Sequence, residues 1–229
     1  AHGGQNWQDF TVFESVALGV GGVDFYKKAL VQLDPATLTG PQMEKVLTTF
    51  KRIKDYTDKN APGRDWNLAT AMVIKGEAGM QLMGDWAKGE FIAAGKAPGK
   101  DFICAAAPGT QKAFTFNIDS FALFKLKNAA NEKAQQDLAT AIMSPEFQEL
   151  FNLNKGSIPV RTGMKMDKFD DCAKQTASDF AAAPATDLPE EIKFGKVRVE
   201  TKALRGVRGK EKFELTPREL SVLALLHRA

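Results

Sequence analysis

Short apolar segments alternate with helical patterns along the middle of the chain, and this alternation constrains the fold more than any other feature. Trp66–Ile74 and Asp85–Ala94 have helical spacing, whereas Gly79–Met83 and Phe102–Ala107 are short apolar runs typical of strands. Ala113–Phe124 has the pattern of extended structure. Alternating strands and helices predict an α/β lobe in which polar residues gather where the strands end.

Helical patterns account for most of the rest of the chain up to residue 180. The clearest one begins at Pro41, and its apolar residues recur at intervals of three and four as far as Tyr56. A similar spacing in residues 11–34 is interrupted at the glycines of 19–22. We also predict helices at Glu132–Met143, from Pro145 with Ser144 as the N-cap, and at Lys165–Phe180, with a turn at Asn154–Arg161.

The distribution of charge divides the chain in two. Ten Lys or Arg and seven Asp or Glu follow Ala183, which leaves 21 of each sign in residues 1–183. All three tryptophans lie in this neutral part. We therefore predict two modules of different origin, one at 1–181 and a second partial domain at 190–229, with a junction at 182–189. Because the chain starts without Met and ends inside an apolar helical pattern, we interpret it as a fragment.

The motif content argues against several classes of function. No apolar run approaches the roughly 20 residues of a membrane-spanning helix, so we expect no membrane span. The sequence contains no GxSxG, P-loop, GxGxxG or HExxH motif, and its histidines are His2 and His227. We therefore predict no enzyme, no catalytic residue, no metal site and no cofactor. A further hypothesis is a glycoside hydrolase whose two catalytic carboxylates are Asp85 and either Glu90 or Asp119. Acids are common on a charged surface, so this pairing alone carries little weight.

Cys104 and Cys172 are the two cysteines of the chain. Neither lies in a CxxC motif or near a histidine, which argues against zinc sites and thioredoxin-like chemistry. The residues alone leave two alternatives open: a single disulfide in an exported protein, or two unrelated buried thiols.

Three stretches combine polar residues with apolar surroundings. GDWAKGE places Trp86 beside Asp85 at a strand exit, and LNKGSIPVR places Lys155 in a glycine turn. FTFNIDSFALF places Asn117 and Asp119 two residues apart, hence on one face of an extended segment. Each stretch also has a purely structural explanation, such as a capped core, an Asx turn or a solvated lysine. Together they suit a sugar, whose C–H face stacks on an aromatic ring while a carboxylate, an amide and an ammonium bind its hydroxyls.

Residues 1 to about 180 resemble a known family in several stretches that follow the family's order. These stretches are AHGGQNWQD, ATLTGPQM, GRDWNLATAMVIKGEAGMQLMGDWAKGEF, AFTFNIDSFALFK and NKGSIPVR. They resemble the C-terminal-lobe part of pseudomonad-type glucose-binding proteins in the bacterial ABC-importer extracellular solute-binding family. The resemblance implies one lobe of a two-lobe periplasmic-binding-protein fold, in which a sugar is trapped between the lobes and closure is presented to a membrane permease. It also implies a periplasmic location.

The resemblance further implies a set of ligand contacts. Matched residue by residue, these contacts are Trp86, Asn117, Asp119, Lys155 and Trp66. His2, Trp7 and Arg161 fall on shared motifs, and we interpret them as cleft-rim or structural residues. The resemblance also implies a disulfide between Cys104 and Cys172. Since the first lobe and the closing helices of the family are missing from the sequence, we expect the chain to bind a glucose-like hexose weakly or not at all.

Residues from about 188 to 229 resemble a different family. The stretch IKFGKVRVETKALRGVRGKEKFELTPRELSVLALL resembles the first half of the winged-helix output domain of two-component response regulators. It implies a short sheet and one helix, and the helix begins with a capping box in which Thr216 is the N-cap, Pro217 follows and Glu219 closes the box. Such domains bind DNA through a later recognition helix and a wing, which the sequence lacks. The alternative function is therefore a cytoplasmic DNA-binding response regulator, with nucleic acid as a partner only if this truncated winged-helix segment were complete.

Overall fold

The computed structural model describes residues 1–111, 113–183, 191–194, 197–200, 205–208 and 211–214. The chain forms two compact units. The first comprises Ala1–Thr115, Asn154–Ser157 and Asp170–Ala173, and the second comprises Phe116–Leu153, Ile158–Phe169 and the residues from Lys174 onward.

Helices are the regular elements of the described residues up to 183. They are α1 (Asn6–Gly21), α2 (Val23–Tyr26), α3 (Pro35–Leu38), α4 (Pro41–Lys54), α5 (Trp66–Ile74), α6 (Ala87–Ala93), α7 (Ala129–Ile142), α8 (Pro145–Lys155) and α9 (Asp171–Ala182), with a π-helical turn at Lys27–Val31. No helix among the described residues is long and apolar enough to cross a membrane.

The core of the first unit lies where α1 packs against α4. Its buried residues come from both helices and from the chain that joins them, namely Val12, Val16, Ala17, Phe25, Ala29, Met43 and Val46. Phe13 of α1 and Phe50 of α4 meet edge to face, with ring centroids 5.7 Å apart. The predicted apolar stripe of α4 is thus confirmed in its first part, whereas Leu47 and Tyr56 are exposed.

Each predicted helix has a counterpart among the described residues, with ends that differ from the prediction in several cases. The interruption near residue 20 falls at Gly22, whose φ is +82°. The Ser144 hydroxyl accepts a hydrogen bond from the Phe147 N–H, which confirms Ser144 as the N-cap of α8. The predicted helix at Lys165–Phe180 begins too early, because α9 starts at Asp171. The reason is that the Asp170 carboxylate accepts a bond from the Ala173 N–H and caps the helix at that point.

The predicted strands of the α/β lobe are wrong for the described residues. Gly79–Met83 is irregular, and Phe102–Ala107 contributes only one isolated bridge, between Phe102 and Pro98. Residues 113–124 have no regular secondary structure. A strand needs a neighbouring strand to satisfy its backbone N–H and C=O groups. In the described part of residues 1–183 no such neighbour lies alongside these apolar runs, so they do not form a sheet.

Four short strands, all described between residues 191 and 214, form a small sheet. Its strands are β1 (Glu191–Phe194), β2 (Val197–Glu200), β3 (Arg205–Arg208) and β4 (Glu211–Glu214). All neighbours pair antiparallel in the order β1-β2-β3-β4. The alternating apolar and polar residues of Ile192–Phe194 and Val197–Glu200 lie in β1 and β2. The capping box at Thr216–Glu219 and the helix predicted after it lie outside the described residues.

Candidate functional site

Trp86 is the N-cap residue of α6 and is half-buried. Its indole ring contacts that of Trp7 in α1, with centroids 6.5 Å apart and the planes inclined by 47°. The Trp7 indole N–H donates to Gln5 Oε1 at 3.0 Å, and the Gln5 amide donates to Asp65 Oδ1 at 2.7 Å. Trp7 itself is 42% exposed. The two rings therefore form a fixed, partly exposed aromatic surface on the first unit.

The backbone of Gly84 lies directly beneath the Trp86 ring. A Cβ atom at Gly84 would be 2.0 Å from Trp86 Cζ3, so a side chain at this position would force the Trp86 ring to shift. The turn that follows is stabilised by bonds from the Ala87, Lys88 and Gly89 N–H groups to the carbonyls three residues earlier. This packing explains why a glycine precedes the tryptophan by two residues.

Lys155 is the last residue of α8, and it belongs to the first unit together with Trp86. It is half-buried and is followed by Gly156, which is buried and has a φ of +86°. That backbone conformation favours glycine and ends the helix. The turn predicted at Asn154–Arg161 therefore begins two residues later than predicted, because Asn154 and Lys155 are the last residues of α8.

Lys88 forms a buried ion pair on the same helix as Trp86. Its side chain is 6% exposed, and its Nζ lies 2.8 and 2.7 Å from the two carboxylate oxygens of Asp170. Asp170 also caps α9 through the Ala173 N–H, so one carboxylate connects α6 to the beginning of α9. Buried charges are stable only when paired and hydrogen-bonded in this way.

Cys104 and Cys172 form a disulfide in the first unit, with Cα atoms 5.8 Å apart. Cys172 is the second residue of α9, and it therefore lies close in sequence to Asp170. Nearby, the rings of Phe91 in α6 and Phe102 lie 4.3 Å apart. The segment around residue 104 is thus attached both to α9 and to α6.

Asn117 and Asp119 lie in the second unit, in an irregular segment. Both residues are exposed, while Phe116 and Ile118 are half-buried. This alternation places the two polar residues on one side of the segment, as the sequence predicts. The Phe116 ring packs edge to face on Phe180 of α9, with centroids 5.1 Å apart, and fixes which side faces inward.

Trp66 begins α5, which packs against α6. Its carbonyl oxygen accepts bonds from the Thr70 hydroxyl at 3.0 Å and from the Gln81 side-chain amide at 3.2 Å. Three of the five predicted ligand contacts, Trp66, Trp86 and Lys155, therefore belong to the first unit. The roles of all five as ligand contacts stay a prediction.

The residues that we interpret as cleft-rim or structural residues each make a polar contact with another residue. His2 Nε2 lies 2.8 Å from Asp9 Oδ1, and the Arg161 guanidinium donates to the Met143 carbonyl oxygen at 3.1 Å. Over the described ranges, no group of three or more His, Cys, Asp or Glu side chains has the geometry to bind a metal ion.

Sequence reasoning missed the groups that support Trp86. It noted Trp7 but not its ring contact, and it gave no role to Gly84, Lys88 or Gly89. The available signal was the glycine within the helical pattern of GDWAKGEF, because glycine is unfavourable inside a helix.

Known proteins match most of the chain. Residues 1–149 match the family described as bacterial extracellular solute-binding protein. Over 183 residues the chain is 51% identical to a probable sugar-binding periplasmic protein of Rhizobium meliloti (strain 1021). The aligned residues cover 80% of this chain and 44% of that protein. A probable sugar-binding periplasmic protein of Brucella suis biovar 1 is 52% identical over 183 residues, covering 80% of this chain and 43% of that protein.

A more distant relative is archaeal. An uncharacterised ABC transporter extracellular-binding protein of Pyrococcus horikoshii is 34% identical over 183 residues, covering 80% of this chain and 40% of that protein. The chain thus spans less than half of the length of these curated relatives. Because the family match extends over residues 1–149 of 229, the chain belongs to the family of bacterial extracellular solute-binding proteins.

Proposed function

We propose that residues 1–181 form a partial lobe that binds a glucose-like hexose for delivery to an ABC importer, in a non-enzymatic role. The observation that carries this proposal is the Trp86 ring, which is held by Trp7 and by the Gly84 backbone while remaining half-buried. A rigid, partly exposed aromatic surface is the feature on which a pyranose stacks.

The second part of the proposed mechanism is hydrogen bonding between polar side chains and the sugar. The Lys155 ammonium, the Asp119 carboxylate and the Asn117 amide are proposed to bind the sugar hydroxyls, and Trp66 to add a further aromatic contact. A hydrogen bond to a charged group contributes about 1.5–3 kcal/mol. We propose an affinity for this chain alone on the order of millimolar, which corresponds to about −4 kcal/mol.

The importer and the location follow from the relatives. The Rhizobium and Brucella proteins are named as periplasmic sugar-binding proteins, and the Pyrococcus protein as an ABC transporter component. We propose by analogy a periplasmic location and a membrane permease as partner. These names support sugar as the ligand class, and glucose is the specific hexose that we propose.

Saturation-transfer NMR on the 229-residue chain tests the proposal. Glucose at millimolar concentration should receive saturation from the protein, and the bound fraction should level off as the glucose concentration rises. Trp86→Leu should remove most of this transfer, whereas Tyr56→Leu, which changes a residue that is 80% exposed, should leave it unchanged. Equal transfer to wild-type protein and to the Trp86→Leu variant would contradict the proposed site.

The four-stranded antiparallel sheet at 191–214 favours a second candidate function. A short sheet is what the winged-helix resemblance implies at this place, and the comparisons with known proteins lend it no support. DNA binding by this segment would depend on attraction between its excess of Lys and Arg side chains and the phosphates of the duplex. Fluorescence anisotropy with a labelled duplex at low salt tests it, since binding would raise the anisotropy and salt would abolish the rise.

A further inference from the structure

The turn that carries Trp86 contacts the turn that carries Lys155 through two glycines. A Cβ atom on Gly89 would lie 2.7 Å from the Lys155 carbonyl oxygen and 3.0 Å from that of Asn154. A Cβ atom on Gly156 would lie 2.5 Å from the Gly89 nitrogen and 3.1 Å from the Asp85 carbonyl oxygen. All of these residues belong to the first unit. The two backbones therefore touch on both sides, and any side chain there would separate them.

Gly89 is an unfavourable residue for its own helix. It is the third residue of α6, and alanine favours a helical position of this kind over glycine. Its φ is not positive, so the backbone conformation itself does not require glycine. What requires glycine is the contact with Asn154 and Lys155. Gly156 differs, because it meets a close contact and has a positive φ as well.

The Lys88–Asp170 pair holds the same turn from another side. The Lys88 N–H donates to the Asp85 carbonyl oxygen, and its ammonium is bound by both oxygens of Asp170. The Asp85–Gly89 turn is thus fixed at its backbone by Gly156 and at a side chain by Asp170. Lys155, one residue before Gly156, therefore follows the backbone contact between Gly156 and the Asp85–Gly89 turn.

We propose that Gly89 and Gly156 are positioning residues of the sugar site, which set the distance between the Lys155 ammonium and the Trp86 ring. This inference rests on the proposed function. It adds that the contact between the two glycines determines how far the Lys155 ammonium lies from the Trp86 ring. Enlarging either glycine should move Lys155 away from a sugar that is stacked on Trp86.

The test is a double-mutant cycle on the 229-residue chain, with the Kd for glucose measured by saturation-transfer titration. Gly89→Ala should weaken binding about 10-fold, the loss expected for one charge-assisted hydrogen bond. In a Lys155→Met background the same change should alter the Kd less than about 2-fold, because the displaced group is already absent. Gly79→Ala is the matched control, since a Cβ atom at Gly79 meets nothing within 4 Å and its φ is not positive.

The outcomes separate the inference from the proposed function. If the wild type binds and Gly89→Ala weakens binding equally in both backgrounds, or not at all, the positioning role is overturned while the sugar site stands. If the wild type does not bind glucose, the proposed function fails and the inference fails with it. Gly156→Ala is the second variant and should show the same dependence on Lys155. Melting temperatures of every variant establish that the measured losses come from folded protein.

Discussion

Trp86 remains half-buried although two groups already lie against its ring. Trp7 contacts it from α1, and the Gly84 backbone lies so close that a side chain there would force the ring to shift. The open part of a ring that is held in this way offers an aromatic surface on which a ligand can stack. At the residue scale, the glycines at positions 84 and 89 therefore indicate the proposed site as clearly as Trp86 does.

Asp119→Ala should weaken glucose binding more than about 10-fold in a protein that contains the complete site, because a charge-assisted bond to a hydroxyl is lost. Isothermal titration measures the change. Asp137→Ala is the matched control, since Asp137 is an exposed acid of the same unit whose carboxylate pairs with Lys133 on the helix surface. A loss of less than about 3-fold for Asp119→Ala, well below one such bond, would remove Asp119 from the site.

Glu14 gives a prediction for pH. Burial raises the pKa of Glu14 above its ordinary value of 4.5, and the Tyr26 hydroxyl, which donates to Glu14 Oε2 at 3.0 Å, opposes part of that shift. Because the folded protein favours the protonated acid, the stability that Glu14 contributes is present below pH 4.5 and is lost as the pH rises through the raised pKa. Glu14→Gln should remove this loss.

Urea unfolding from pH 4 upward measures the effect. The free energy of unfolding of Glu14→Gln should exceed that of the wild type increasingly above about pH 4.5, where glutamate ordinarily ionises. The control is Glu44→Gln, which changes an exposed acid in the first turn of α4 and should give a curve parallel to the wild type. Parallel curves for Glu14→Gln as well would show that its ionisation does not affect folding.

At the scale of elements, the helices were predictable, whereas the strands predicted within residues 79–124 are absent from the described part of that range. The pattern of α4 and the Ser144 cap are local signals, and the structure contains both. The start of α9 depends on Asp170, whose capping role is not evident from the periodicity of Lys165–Phe180. Apolar runs such as Gly79–Met83 and Phe102–Ala107 predict strands only if other strands pair with them, and pairing is not a local property.

The candidate site divides in the same way. The glycine turn at Lys155 and the shared side of Asn117 and Asp119 follow from short sequence patterns. The contacts of Trp86 with Trp7, and of Gly89 with Lys155, join residues that are distant in sequence. No pattern in a single sequence indicates such pairs, so these groups had to be found in the structure.

The buried ion pair of α6 predicts a large effect on stability. Lys88→Met should lower the free energy of unfolding by about 3 kcal/mol, because it leaves the Asp170 carboxylate without its cation. Lys133→Met, which removes the exposed Lys133–Asp137 pair, should change it by less than about 1 kcal/mol. Urea denaturation measures both.

A rescue variant separates charge from packing at this pair. Lys88→Met combined with Asp170→Asn should recover part of the loss, since asparagine is neutral and still accepts a bond from the Ala173 N–H. Equal stability of Lys88→Met and Lys133→Met would show that the Lys88 pair contributes no more than a surface pair.

At the scale of the whole molecule, the disulfide is the covalent constraint of the first unit. It joins residues 68 apart, so it restricts the unfolded chain strongly. The variant Cys104→Ser/Cys172→Ser should lose about 2–4 kcal/mol of unfolding free energy. Adding a reductant should destabilise the wild type by a similar amount and leave the double variant unchanged. If the variant were as stable as the wild type, the bond would not contribute to folding.

The family to which the chain belongs is established, whereas its function is a proposal. Membership in the bacterial extracellular solute-binding proteins rests on residues 1–149, while the chain spans less than half of its curated relatives. The winged-helix resemblance and the sheet at 191–214 concern other residues. Sugar binding is therefore tested most directly at the residues of the first unit, where Trp86, Trp66 and Lys155 lie.

The decisive measurement is a glucose titration that follows the indole N–H signals of the three tryptophans by ¹H–¹⁵N NMR. Trp7→Phe, Trp66→Phe and Trp86→Phe assign the three signals. The proposed site predicts that the Trp86 signal shifts and saturates with a Kd on the order of millimolar, about −4 kcal/mol. A Trp86 signal that does not move across the titration, or that moves in proportion to glucose without saturating, would contradict sugar binding at this site.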